Sequence, residues 1–210
     1  EARFIRNQGK PWDLMAWGFN KGEDCDWAHK TAIQLQQEAS IVLAQGGGFQ
    51  TYYQPTRAGW LDDWLVQIMG EVARFCRERQ AVSRKTEPVP QVALLLPGQR
   101  FYARSDRLFG SWGALLNPVH GLLHALLELH YSVDVMAEYR LIERMKEYPV
   151  VVVPECDFVP DELRGALLDY VREGGNLLVV GPQTVANFKD VIGVTFEGEP
   201  AEATAYVKGS

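Results

Sequence analysis

The chain has 210 residues, 47% of them hydrophobic, which is the composition of a soluble globular protein with one large domain or two small ones. A formal net charge of -6 gives no general attraction to phosphate backbones or anionic lipid, so neither nucleic acid nor a membrane is an expected partner. No apolar run reaches the length of a bilayer span, which also argues against a membrane protein.

The first part of the chain predicts a helix, a strand and a second helix. Apolar residues recur at helical spacing from Trp27 to Ala44, and the glycines 46–48 end that helix. The aromatic run "FQTYYQ", from Phe49 to Gln54, is typical of a short strand. A second apolar stripe predicts a helix from Leu61 to Gln80, and the polar, proline-bearing segment 83–90 predicts a linker between two domains.

The second part of the chain predicts an α/β fold with a mainly parallel sheet flanked by helices. Four strand-like runs, "QVALLLPG", "YSVDVMAE", "VVVVPE" and "NLLVVGP", alternate with helical patterns at 118–130, 139–148 and 160–173. Right-handed crossovers between strands that are apolar on both faces predict the spatial order 2-1-3-4. The segment "NFKDVIGV" predicts a short helix, and the tail from Gly198 predicts irregular structure.

The runs "VALLLPG", "HGLLHALLELHYSVDVM" and "VVVVPECDFVPDELRGALLDYVREGGNLLVVGP" resemble a known domain. It is the trimerisation domain of β-galactosidase-type glycoside hydrolases, which is similar in fold to class I glutamine amidotransferases and has a flavodoxin-like arrangement. This resemblance implies that residues 88–210 form an amidotransferase-like α/β domain that serves structure and assembly.

The segment "KPWDLMAWGF" resembles the "WE…WGY" strand and loop of α-L-fucosidase-like enzymes, and the following helix, glycine turn and strand continue the likeness. Residues 1–87 are therefore expected to be the last βα units of a glycoside hydrolase TIM barrel. The resemblance implies that Asp13, at a strand end, acts as a catalytic carboxylate and that Trp17 stacks on a sugar. Asp13 stands where the pattern has Glu, and the strands that would carry a second carboxylate are absent.

Cys156 follows a buried strand and precedes a helix, where several α/β enzymes place a nucleophile. In the amidotransferase-like pattern, however, the nucleophile belongs to the next strand, which here ends in Gly181, Pro182 and Gln183. The histidines His120, His124 and His130 all precede Cys156, so none matches the downstream base of that pattern. A small apolar filler at a strand end is the favoured interpretation of Cys156.

Two further motifs suggest ligand sites only weakly. His120, His124 and Glu128 lie one helical turn apart, but Gly121 stands where the zincin motif needs its general base, so a solvated helix face is favoured over a metal site. The glycine runs "AQGGGFQ" and "REGGNLLVVGP" do not match a phosphate-binding loop and predict helix ends. No cofactor and no metal are expected.

The sequence thus predicts part of a glycoside hydrolase without a complete active site. Its expected partners are further copies of itself or the remainder of the barrel, with the arginine- and aromatic-rich loop 98–113 as a contact surface and a carbohydrate as the substrate of the parent enzyme. Two alternatives stay open: an amidotransferase-like hydrolase that uses Cys156, and a sugar-binding module. The module would use Trp12, Trp17, Trp60 and Trp64, of which Trp60 and Trp64 are expected to be buried.

Overall fold

A computed structural model describes residues 1–20, 28–104 and 113–198. The chain divides into two compact units, the first spanning Glu1–Pro90 and the second beginning at Gln91. None of the described helices is both long and apolar enough to cross a membrane.

The first unit is built around two parallel strands. In chain order its elements are α1 (Ala2–Ile5), a 3-10 turn (Arg6–Gln8), β1 (Asp13–Trp17), β2 (Phe19–Asn20), β3 (Ala28–His29), α2 (Ala32–Leu43), β4 (Gly48–Tyr52) and α3 (Asp63–Ser83). Strand β1 pairs in parallel with β4, while β2 and β3 form a small antiparallel pair. The order β1–α2–β4–α3 is that of two consecutive βα units.

Only one face of the β1–β4 pair is covered in the described part of the chain. Ala16 of β1 packs with Leu35 of α2 and with Leu65 and Val72 of α3 in one core cluster. Residues on the opposite face alternate with these, and Met15 and Trp17 are 52% and 50% exposed there. Parallel sheets normally have both faces buried, so this face is available for further chain.

Helix α2 begins five residues later than the apolar periodicity predicts. Thr31 accepts a hydrogen bond from the backbone N–H of Gln34, and the Gln34 side chain accepts one from the backbone N–H of Thr31, which is a complete capping box. Residues 28–29 instead form β3, and Trp27 lies outside the described residues. The cap fixes the start of α2 because it satisfies N–H groups that have no partner within the helix.

The second unit confirms the predicted α/β fold and strand order. Its elements are β5 (Val92–Leu96), α4 (Gly98–Arg104), α5 (Gly113–Glu128), β6 (Val133–Ala137), α6 (Glu138–Arg144), a 3-10 turn (Met145–Glu147), β7 (Val150–Val153), α7 (Asp161–Arg172), β8 (Asn176–Val179), α8 (Pro182–Ala186) and α9 (Lys189–Ile192). The four strands are parallel in the order β6-β5-β7-β8. This is the predicted order 2-1-3-4.

The core of the second unit lies between this sheet and the helices that follow β6 and β7. Leu163, Leu167 and Tyr170 form the buried face of α7. They pack in one cluster with Cys156 and with Phe188. Phe188 lies between α8 and α9 in the sequence, and its side chain is fully buried. The described residues after β8 therefore belong to the same core as the sheet.

Two predicted boundaries in the second unit are wrong. Helix α5 begins at Gly113 and carries Pro118 inside it, although Pro118 was expected to begin the helix. The predicted loop 98–113 contains α4 in its first half, and residues 105–112 lie outside the described part. The irregular tail predicted from Gly198 likewise lies almost wholly outside the described residues.

Candidate functional site

Asp13 does not lie at the strand end where a barrel active site would need it. It is the first residue of β1, and its carboxylate accepts a hydrogen bond from Gln50 Nε2 at 2.5 Å. Active sites of parallel α/β barrels form at the carboxyl ends of the strands. Asp13 does lie at a strand end, as the sequence predicts, but it is the amino end of β1. Its side chain there links β1 to β4 through Gln50.

Trp17 is the last residue of β1 and lies at the carboxyl end. Its indole stacks on Phe19 with ring centroids 5.3 Å apart and an interplanar angle of 22°. Tyr52, its register partner on β4, lies 6.4 Å from it between centroids. Trp17 is half exposed and Tyr52 is partly buried, and their rings are tilted by 57° to each other, while Phe19 is buried against Trp17. Trp17 and Tyr52 therefore leave a partly exposed aromatic surface at this end. Sequence patterns missed Tyr52, since its place beside Trp17 depends on the β1–β4 register.

Asp13 and Trp17 share one face of β1 but stand at opposite ends. Four residues of extended strand separate their Cα atoms by roughly 13 Å. The other residues of the two strands on this face are Met15, Gly48, Gln50 and Tyr52. None of them has a carboxylate, so Asp13 supplies the one carboxylate of this face. Glycoside hydrolysis needs two carboxylates that flank the same bond, and the described face supplies one, at the wrong end.

The other tryptophans of the first unit are distributed differently from expectation. Trp60 and Trp64 are 73% and 46% exposed, so the prediction that both are buried is wrong. Trp60 precedes α3, and Trp64 meets the His29 imidazole edge-on with centroids 4.9 Å apart. Trp12 is half-buried against Gly47, where an added Cβ would come within 2.4 Å of the indole.

Cys156 is fully buried just beyond β7. The Thr184 hydroxyl accepts a hydrogen bond from the Cys156 backbone N–H at 2.6 Å, donates to the carbonyl of Pro154 at 2.8 Å and lies 3.6 Å from the Cys156 sulfur. Burial raises the pKa of the Cys156 thiol, and the Thr184 hydrogen bond and Arg100 oppose that rise only in part. A nucleophilic cysteine needs an accessible, stabilised thiolate, and Cys156 has neither property.

Replacing Cys156 with alanine should therefore change no enzymatic activity. We expect the free energy of unfolding to fall by about 1 kcal/mol, because the change removes one buried sulfur from a packed cluster. Chemical denaturation measures the loss, and glutaminase and esterase assays before and after alkylation measure turnover. Turnover that alkylation of Cys156 abolishes would restore the nucleophile hypothesis.

Charged side chains of this chain itself pair with one another at the carboxyl ends of the second sheet. The chain leaves β5 towards one side and β7 towards the other, and open α/β sheets bind ligands at such a switch point. Here Arg100 of α4 pairs with Asp157 at 2.5 Å, and Arg104 also contacts Asp157. Across the same edge Glu138 accepts the backbone N–H of Gln99 at 3.1 Å.

The glycine turns end helices and do not offer free N–H groups to a phosphate. The N–H of Gly46 bonds to the Leu43 carbonyl, and that of Gly48 bonds to the Trp12 carbonyl. The N–H groups of Gly174 and Gly175 bond to the last turn of α7 in the same manner. This pattern agrees with the helix-end interpretation of both motifs.

Several solved structures that share this fold are glycoside hydrolases. α-L-fucosidase isoenzyme 2 from Paenibacillus thiaminolyticus superposes with a TM-score of 0.68 at 20% identity, over 86% of this chain and 26% of that one. A β-galactosidase from the haloarchaeon Halorubrum lacusprofundi superposes with a TM-score of 0.62 at 18% identity, over 87% and 29%. The β-galactosidase from Rahnella sp. R3 superposes with a TM-score of 0.63 at 19% identity, over 85% of this chain and 29% of that one.

These likenesses are likenesses of fold. The chain spans between a quarter and a third of the length of each structure. No protein-family model and no curated protein sequence matches it significantly. What the solved structures support is that this chain has the fold of one part of a glycoside hydrolase.

Proposed function

We propose that the chain is a C-terminal portion of a glycoside hydrolase and has no complete active site of its own. Residues 1–87 supply the last βα units of the catalytic barrel, and residues 88–210 form an α/β domain for structure and assembly. The order of elements in each unit supports this proposal, as does the shared fold with a fucosidase and β-galactosidases.

The uncovered face of the β1–β4 pair carries the proposal. In a closed barrel of parallel strands, helices cover the outer face and the inner face is filled by residues from the other strands. Strands β1 and β4 have helices on one face, while Met15 and Trp17 stand exposed on the other. Such a pair is marginal by itself, because two strands bury too little surface for independent stability.

The two ends of this face take different roles in the proposal. Trp17 and Tyr52, at the carboxyl ends of the strands, stack on a sugar ring of the substrate. Asp13, at the amino ends, fixes Gln50 and so the floor of the barrel. The catalytic acid and base then come from strands that this chain does not contain.

The second unit serves assembly in this proposal. The buried Cys156 and the ion pair of Arg100 with Asp157 support a structural role over an amidotransferase-like hydrolase. Its resemblance to a trimerisation domain points to a homo-oligomer. The uncovered face of the first unit points to the remainder of the barrel as a second partner.

A sugar-binding module remains the alternative function. The exposure of Trp17, Trp60 and Trp64 favours it, because exposed indoles are the groups that stack on carbohydrate. Titration of the chain with oligosaccharides separates the two functions: a module binds by itself, whereas a barrel portion needs the missing strands to complete its site.

Assays with nitrophenyl glycosides test the main proposal. The isolated chain should release no nitrophenol from α-L-fucosides or β-galactosides above background, since a single carboxylate cannot run the reaction. Nitrophenol release that Asp13→Asn abolishes would show a complete site within the chain and overturn the proposal.

Trp17 can be tested in the natural polypeptide that carries this chain. We expect Trp17→Ala to raise KM about two- to twelvefold, because the change removes one aromatic stacking contact with a free energy of ~0.5–1.5 kcal/mol. Phe158→Ala is the control, because Phe158 is an exposed aromatic residue of the second unit and lies outside the β1–β4 pair, and it should leave KM unchanged. Equal effects of the two changes would remove Trp17 from the substrate site.

A further inference from the structure

Helix α5 carries two histidines on its exposed side. His120 and His124 are four positions apart in the sequence and therefore lie one turn apart on the same face. Both are exposed, and neither makes a hydrogen bond or an ion pair with another described residue. The helix contains no Lys or Arg, and its one charged residue is Glu128, a further turn along. Nothing on α5 therefore repels a cation.

The two imidazoles are close enough to share one ion, although their nearly parallel rings must turn before a nitrogen of each points to it. Their ring planes differ by 12°, and their centroids are 6.5 Å apart. An ion with two nitrogen ligands at roughly 2.0–2.1 Å holds the ring centres about 4.5–6.5 Å apart, depending on the angle at the metal. Because both side chains are exposed, a change of rotamer is open to each and brings one nitrogen of each ring to a common point.

We propose that His120 and His124 form a two-imidazole site for a divalent transition metal such as Zn²⁺, Cu²⁺ or Ni²⁺. Imidazole nitrogen suits these ions, whereas Mg²⁺ and Ca²⁺ prefer oxygen ligands. No group of three or more His, Cys, Asp and Glu side chains in the described residues is placed to hold a metal. The site therefore has two protein ligands, and water or a donor from another molecule completes the coordination.

The surroundings of the pair exclude hydrolytic chemistry at this site. Gly121 follows His120, so the carboxylate that a zincin places there to activate water is missing. Glu128 is one turn beyond His124 and adds negative potential without joining a three-ligand group. The site binds an ion and leaves coordination positions open, which suits a structural link or metal capture.

Titration of the purified chain with Zn²⁺ and with Cu²⁺ tests the site. Calorimetry should show one ion per chain bound through this pair, and the Cu²⁺ complex should show a visible absorption band from nitrogen ligands. His120→Ala and His124→Ala should each weaken binding at least about tenfold, because a single imidazole loses the chelate. Circular dichroism checks that each variant keeps its helix content.

A register variant makes the test specific to the one-turn spacing. The double change His124→Ala with Ala125→His keeps the number of histidines but moves the second ring off the shared face, and it should bind as weakly as His124→Ala. His130→Asn is the second control: His130 follows α5 with a φ of +63°, which asparagine tolerates, and binding should be unchanged. Undiminished binding by the register variant, or loss of binding in His130→Asn, would overturn the proposal.

Discussion

Replacing Phe188 with alanine should lower the free energy of unfolding of the second unit by about 3–5 kcal/mol. Phe188 is fully buried in the cluster that contains Cys156, Leu163 and Leu167. The Arg164 guanidinium lies 5.8 Å from the ring and bonds to the carbonyl of Asn187, so the rim of the pocket is held in place. A rim that cannot collapse leaves a cavity, and cavities add to the cost of the lost apolar contacts.

Phe158→Ala provides the matched control for this loss. Phe158 lies in the same unit but is 55% exposed, so the same substitution should cost less than about 1 kcal/mol. Thermal melting should show a drop on the order of 10–20 °C for Phe188→Ala and only a few degrees for Phe158→Ala. Equal drops would mean that the segment after β8 is not part of the core.

Replacing Thr184 with valine should cost about 1–3 kcal/mol, although valine has nearly the same shape. The Thr184 hydroxyl links the turn after β7 to α8 through the Cys156 N–H and the Pro154 carbonyl. Valine leaves both of these buried backbone groups without a partner, and an unmade buried hydrogen bond costs more than a made one contributes.

Thr184→Ser separates the hydroxyl from the methyl group. Serine keeps both hydrogen bonds and loses one methyl, so its cost should be about 1 kcal/mol. Denaturant titrations of the two variants give the comparison. If serine destabilises the unit as much as valine does, packing of the methyl group and not the hydroxyl holds this turn.

The order of the second sheet follows from the sequence because two general rules determine it. Right-handed crossovers and strands that are apolar on both faces leave few topologies for four strands and their helices. The run from Val150 to Val153 is apolar throughout, and β7 indeed has two strand neighbours. A strand that is buried on both faces can therefore be assigned to the interior of the sheet from its sequence.

The errors arose where a local contact or a register decides the outcome. Apolar spacing extended the first long helix back to Trp27, but the Thr31–Gln34 capping box starts it at Ala32. The exposure of Trp60 and Trp64 depends on what packs against the segment before α3, which helical periodicity does not report. The position of Asp13 depends on where β1 begins, and that is set by its pairing with Gly48.

The ion pairs of Asp157 with Arg100 and Arg104 have an evolutionary consequence. Active sites often give up stability in return for activity, because groups that serve a ligand are not arranged to stabilise the fold. Here one carboxylate already engages two guanidinium groups, so these charged side chains hold one another at the carboxyl ends of the strands. We expect related chains to exchange these charges as a set, with a loss at position 157 accompanied by losses at positions 100 and 104.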